Sequence, residues 1–136
     1  MRLSVLSFVG LASAAAVVPR ADYGYWDVSL KINSGANGWH TEAINATFNS
    51  SDLSGPISAS CEYIHDPQAD IKDTKVCTDG FEWSRGLDTI SLTQTVELSG
   101  EQVTVRGEGE LVLKCGPVTG RNCEGASRID VSTATA

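Results

Sequence analysis

The chain has 136 residues, with 17 Asp and Glu against 10 Lys and Arg, for a net charge of −7 at neutral pH. This length suits one domain with a modest core. No Lys/Arg cluster breaks the acidic balance, which argues against nucleic acid and anionic membranes, since both demand a basic face.

The chain opens with Arg2, an apolar run from Leu3 to Leu11, and the small residues Ala12-Ser13-Ala14-Ala15-Ala16. A charged start, a short apolar centre and a small-residue exit describe a secretory signal peptide. The run falls short of the roughly 20 apolar residues that span a bilayer. Residues 1–16 are therefore expected to be removed, with cleavage after Ala14 or Ala16. Residues 17–22 are read as a short leader or tail, and residues 23–133 as a single domain. Ser132 to Ala136 is small and polar and carries no lipid-anchor signal.

Two-residue alternation dominates the chain from Tyr25 onward. From Tyr25 to Ile32, Trp26, Val28, Leu30 and Ile32 share one face, and Tyr25, Asp27, Ser29 and Lys31 the other. That pattern predicts a half-buried strand. Asn33 to Gly38 is turn-rich. Thr41 to Phe48 alternates again with Ile44, Ala46 and Phe48 inward, and Ile57 to Tyr63 places Ile57, Ala59, Cys61 and Tyr63 together. His65 to Asp73 reads as a polar loop, and Phe81 to Ser84 as a short apolar patch. Ile90, Leu92, Val96 and Leu98 form the clearest strand, and Ser99-Gly100 suits a tight hairpin turn. The return strand carries Val103, Val105, Leu111 and Leu113. Gly107 and Gly109 on its inward face permit a bend or bulge. Ile129 and Val131 mark a last strand.

No segment sustains a helical period. Seven or eight closely spaced strands predict an all-β fold, a compact antiparallel barrel or sandwich.

The four cysteines, Cys61, Cys77, Cys115 and Cys123, read as two disulfides in a secreted chain. Of three possible pairings, Cys61–Cys77 with Cys115–Cys123 is favoured because each pair flanks its own loop. Two sequons, Asn45-Ala46-Thr47 and Asn49-Ser50-Ser51, place Asn45 and Asn49 on the face opposite Ile44 and Phe48, toward water, as a glycan requires.

An aromatic-rich opening strand (Tyr23 to Lys31), Ser60-Cys61, Val76-Cys77, and a Gly-rich loop bracketed by Cys115-Gly116-Pro117 and Asn122-Cys123-Glu124-Gly125 come in a familiar order. This order, over about Tyr23 to Thr133, resembles the Alternaria major allergen-like family, which includes elicitors of plant defence. The resemblance implies a compact β-barrel with the local cysteine pairing, secretion by a fungus, contact with a host, and binding of defence proteins or flavonoid-like molecules. The family's founding allergen carries an extra N-terminal cysteine that joins two subunits. No thiol accompanies Tyr23 or Gly24 here, so a monomer or weak dimer is expected, as in the elicitor branch.

Signals for chemistry are sparse. His40 and His65 are far apart in sequence and lack metal-ligand spacing. Asp66, Asp70 and Asp73 fit no calcium loop and read as a solvated acidic segment. Glu108 and Glu110 share one face of a strand, an arrangement that keeps an edge soluble rather than flanking a sugar. There is no Gly-x-Ser-x-Gly elbow and no phosphate loop. No catalytic residue, metal or other cofactor is implied. Trp26 reads as core and Trp83 as ambiguous. Trp39 is the best exposed aromatic, beside His40 and a flexible turn, and exposed Trp often anchors a partner. Trp39 and His40, with Pro117 and Arg121 of the Cys115–Cys123 loop, are the expected recognition residues. The expected role is that of a secreted effector or elicitor with allergen potential, binding a host extracellular protein or receptor. The rival roles are a carrier of a small aromatic ligand and a secreted hydrolase.

Overall fold

The computed structural model describes residues 23–117 and 121–136. The expected signal peptide (1–16) and leader (17–22) lie outside the described residues, as do residues 118–120 of the Cys115–Cys123 loop. In order, the strands are β1 (Tyr25–Ser34), β2 (His40–Asn49), β3 (Ile57–His65), β4 (Asp73–Cys77), β5 (Phe81–Arg85), β6 (Thr89–Leu98), β7 (Glu101–Glu110), β8 (Lys114–Cys115), β9 (Asn122–Asp130) and β10 (Thr133–Thr135).

They form two antiparallel sheets, a six-stranded one ordered β4-β3-β2-β1-β9-β8 and a four-stranded one ordered β10-β7-β6-β5. The buried side chains of both sheets join in one apolar cluster. The all-β expectation holds in its sandwich form. The closed barrel is corrected: among the described residues both sheets keep open edges. The strand number is also corrected, to ten rather than seven or eight. The additional strands are short or weakly patterned. β8 and β10 have two and three residues, too few to show an alternation.

Alternation explains the core. Trp26, Val28 and Leu30 of β1 stand directly opposite Phe48, Ala46 and Ile44 of β2, and all six are buried. The Trp26 and Phe48 rings lie 5.5 Å apart in a tilted contact. On β6 the apolar series is interrupted at Gln94, which is buried nonetheless. Its Oε1 accepts a 2.8 Å hydrogen bond from Trp26 Nε1. Each group thereby satisfies a partner whose burial would otherwise be costly.

The expected bend or bulge at Gly107 and Gly109 is absent, because β6 and β7 pair without interruption from Thr89↔Glu110 to Leu98↔Glu101. These glycines instead let the sheets approach. A Cβ on Gly107 would collide with the Asp130 carbonyl oxygen and come within 3.0 Å of the Trp26 ring, and one on Gly109 would meet Ile129 at 2.8 Å. The return strand stops at Glu110, and residues 111–113 carry the chain over to the six-stranded sheet. Ser99 and Gly100 adopt φ of 53° and 81° between the opposed residues Leu98 and Glu101, the left-handed pair that a two-residue hairpin turn requires.

Both expected disulfides form, Cys61–Cys77 and Cys115–Cys123. Each joins directly opposed residues, the first on β3 and β4 and the second on β8 and β9. β4 and β8 are the two edges of the six-stranded sheet. The cystines therefore staple both short edge strands to their neighbours.

Candidate recognition surface

The end of the six-stranded sheet where β1 runs into β2 collects the expected recognition residues. Ser34 and His40 face each other there, joined by residues 35–39. Gly35 N–H donates to the Trp39 carbonyl at 2.7 Å and Trp39 N–H to Asn37 Oδ1 at 3.1 Å. Gly38 takes a φ of 94°, a conformation that costs an L side chain. This compact turn holds Trp39 at the surface, 37% exposed.

Two other loops border it. A Cβ on Gly38 would lie 3.5 Å from the Pro67 ring, so the β3–β4 loop (66–72), with exposed Ile71, abuts the Trp39 turn. Ser34 N–H donates to the Arg121 carbonyl at 3.0 Å, which brings in the Cys115–Cys123 loop with exposed Arg121 and Pro117. The β5–β6 turn (86–88) is tied to the polar groups under this end rather than to the Trp39 turn itself: it follows Arg85, whose guanidinium reaches Glu42 of β2. Leu87 at its tip is 95% exposed.

Beneath Trp39 lies a polar layer. His40 and Glu42 continue the inward phase of Ile44, so they face the opposing sheet rather than water. His40 is half-buried, with Nδ1 2.9 Å from Ser34 Oγ and Nε2 2.9 Å from Glu42 Oε2. Arg85 Nη2 donates to Glu42 Oε2 at 3.1 Å and its Nε to Oε1 at 3.4 Å, a two-pronged link between the sheets. Burial pushes the Glu42 carboxyl up, but hydrogen bonds from Arg85 and His40 and the charge of Arg85 outweigh it and hold the group below its ordinary value.

The two histidines, 25 positions apart in sequence, are cross-strand neighbours in the row Ser34, His40, His65, Asp73 across β1 to β4. His65 Nδ1 and the Tyr63 hydroxyl both lie 2.7 Å from Asp73 Oδ1, and the hydroxyl donates. The hydrogen bond from His65, then that from Tyr63, lowers the Asp73 carboxyl, and the same bond to Asp73 raises the Tyr63 phenol. Among the described residues, no three His, Cys, Asp or Glu side chains gather as metal ligands. Asp66 instead orders its own loop, accepting from Gln68 N–H at 3.0 Å.

Ser34, His40 and Glu42 have the residue types of a hydrolytic triad. The imidazole is reversed, however: a triad serine bonds Nε2 and its carboxylate Nδ1, the opposite of the contacts here. The backbone N–H groups of Ser34 and Gly35 are committed to Arg121 and Trp39 carbonyls, so neither is aimed at a developing oxyanion. The arrangement props the Trp39 turn. Glu108 and Glu110 lie exposed on one face of β7, opposite Ser91 and Thr89.

Elsewhere, Trp26 is fully buried. Trp83 is half-buried beside a hollow of about 460 Å³ between the β4 and β5 edges, lined also by Lys75, Cys77, Phe81 and Glu82. Of the sequon asparagines, Asn45 is exposed and Asn49 half-buried.

Apolar alternation alone does not reveal the polar layer, because the apolar residues end before it begins. Glu42 and His40 extend the phase of Ile44, His65 that of Cys61, and Arg85 that of Phe81 and Trp83. Ionisable groups continuing an inward phase at adjoining strand ends are the signal that could have found it.

No family model, no curated protein and no solved structure matches the chain.

Proposed function

We propose that the protein is a secreted, non-enzymatic fungal effector or elicitor with allergen potential, which binds a host extracellular protein or receptor through the Trp39 end of the sandwich and so modulates plant defence. The observation that carries the binding role is the grouping of exposed Trp39, Ile71 and Leu87 around a polar layer whose groups already satisfy one another. An exposed aromatic on a fixed turn, with exposed apolar side chains on other loops linked to the same polar layer, is a surface suited to a protein partner. The stapled edge strands support an extracellular setting, where disulfides persist. The fungal and plant-facing part of the reading rests on the cysteine order and its family resemblance.

The test is infiltration of purified protein into leaf tissue, with a defence response measured and partners captured from extracellular fluid. A response that needs an intact Trp39 supports the reading. The absence of both response and partner removes it.

A second reading, a carrier of a small aromatic ligand, is favoured by the hollow beside Trp83, where an indole, Phe81 and a single lysine meet. Saturable quenching of tryptophan fluorescence by a flavonol, abolished in Trp83→Phe, would support it. Quenching unchanged in that variant would discard it.

A further inference from the structure

We propose that Asn45, and not Asn49, carries the N-linked glycan of the mature protein. The inference rests on the proposed secretion of the chain and adds to it which side chain is modified and which face is covered.

Both asparagines project from the outer face of β2, away from the buried Ile44, Ala46 and Phe48. Their amides differ. Asn45 is exposed, and no hydrogen bond to another described residue engages its side chain. It borders a shallow hollow of about 490 Å³ across β1, β2 and β9, with Asp27, Ser29, Thr47 and Ala126 among its lining. Thr47, the sequon hydroxyl residue, stands two positions along on the same face.

Asn49 is half-buried, and its amide nitrogen is spent twice, donating to the Thr47 carbonyl at 3.1 Å and to Asp27 Oδ2 at 3.5 Å. In the modification, the asparagine amide nitrogen attacks C1 of the first sugar of a lipid-pyrophosphate-linked oligosaccharide. A C–N bond forms, the C1–O bond to pyrophosphate breaks with its electrons leaving on the lipid pyrophosphate, and the nitrogen gives up one proton. One N–H remains. At Asn45 that loss disturbs nothing. At Asn49 one of the two native donations must go, and a bulky group must occupy the place of its hydrogen.

Transfer acts on the unfolded chain, so the folded contacts act afterwards, by deciding which modified chain reaches its native packing. The outer face of the six-stranded sheet would then bear the glycan, and the Trp39 end would stay bare.

The test expresses the full chain in a eukaryotic secretory host in two forms, with its own N-terminus and with a proven secretion signal placed before residue 17. The secreted protein is treated with an N-glycosidase, and the site is located by peptide mass. The expected result is loss of one glycan's mass on digestion, abolished in Asn45→Gln and kept in Asn49→Gln. Secreted protein with no mass change, with loss of two glycans' mass, or with a change abolished only by Asn49→Gln, would overturn the proposal. A glycan on Asn45 seen only behind the supplied signal would uphold it while refuting the reading of residues 1–16.

Discussion

Arg85 of the four-stranded sheet grips Glu42 of the six-stranded sheet with both a terminal and an internal guanidinium nitrogen, and the Glu42 side chain is only 17% exposed. The ion pair ties the two layers together at the end that presents Trp39. Replacing Arg85 by Ala leaves Glu42 with His40 as its one remaining side-chain hydrogen-bond partner among the described residues. The expected loss of stability is roughly 1–2 kcal/mol, between the ~0–1 of a surface pair and the ~3–5 of a fully buried one. Urea unfolding of the variant checks it through a lower midpoint at unchanged slope.

The same carboxylate sets a pH dependence. Its folded pKa lies below the ordinary value of 4.5, so its stabilisation is complete above that pH and is lost as the pH falls through the folded value. Asp73, also lowered, acts in the same direction. The urea midpoint should decline on acidification below about pH 4.5, and Glu42→Gln should flatten that decline. An unaltered acid limb in the variant would assign the effect elsewhere.

Reduction of the cystines should act on the edges first. Closing loops with sequence separations of 16 and 8 residues stabilises by about 3 and about 2.5 kcal/mol in the chain-entropy picture. Hydrogen exchange on the Cys61→Ser/Cys77→Ser protein should show protection lost in β4 while the central β1 and β2 keep theirs.

Gly107→Ala should cost about 3 kcal/mol, at the upper end of overpacking, because the new methyl meets the backbone oxygen of Asp130, which has no side-chain freedom with which to yield. Gly100→Ala meets nothing within 4 Å and carries only the strain of its φ of 81°, about 1–2 kcal/mol. Thermal unfolding of the two variants side by side separates a clash between sheets from a strained turn.

Gln94→Leu strands the Trp26 N–H in the core and should cost about 1–3 kcal/mol. Trp26→Phe in the same background removes the orphaned donor. The double variant should therefore be more stable than the sum of the single losses, a coupling that a double-mutant cycle measures.

Trp26, Val28, Leu30 and Ile32 can be placed inward from the sequence because a strand has only two faces and one of them is apolar throughout. Ser99-Gly100 is legible for a different reason, since few dipeptides tolerate two left-handed residues. β9 is legible only at Ile129, because its inward phase runs through Cys123, Gly125 and Ser127, which carry little apolar signal. Closure into a barrel is not legible at all. It depends on whether β4 finds β5 and β8 finds β10, and alternation describes faces but not edges. For the site, Trp39 and its turn are visible from local chemistry. The approach of Arg121 to Ser34, of His65 to His40 and of Arg85 to Glu42 comes from pairing between segments distant in sequence, which a single chain's pattern does not encode.

Docking of a partner on the Trp39 end is the claim on which the proposed function stands. It is tested most directly by measuring affinity for the captured host protein with three folded proteins: wild type, Trp39→Ala/Leu87→Ser, and Glu101→Ala at the opposite β6–β7 hairpin. Docking there predicts at least a tenfold weakening for the double variant and wild-type affinity for the hairpin variant. Equal affinity for all three, or weakening confined to Glu101→Ala, would contradict it.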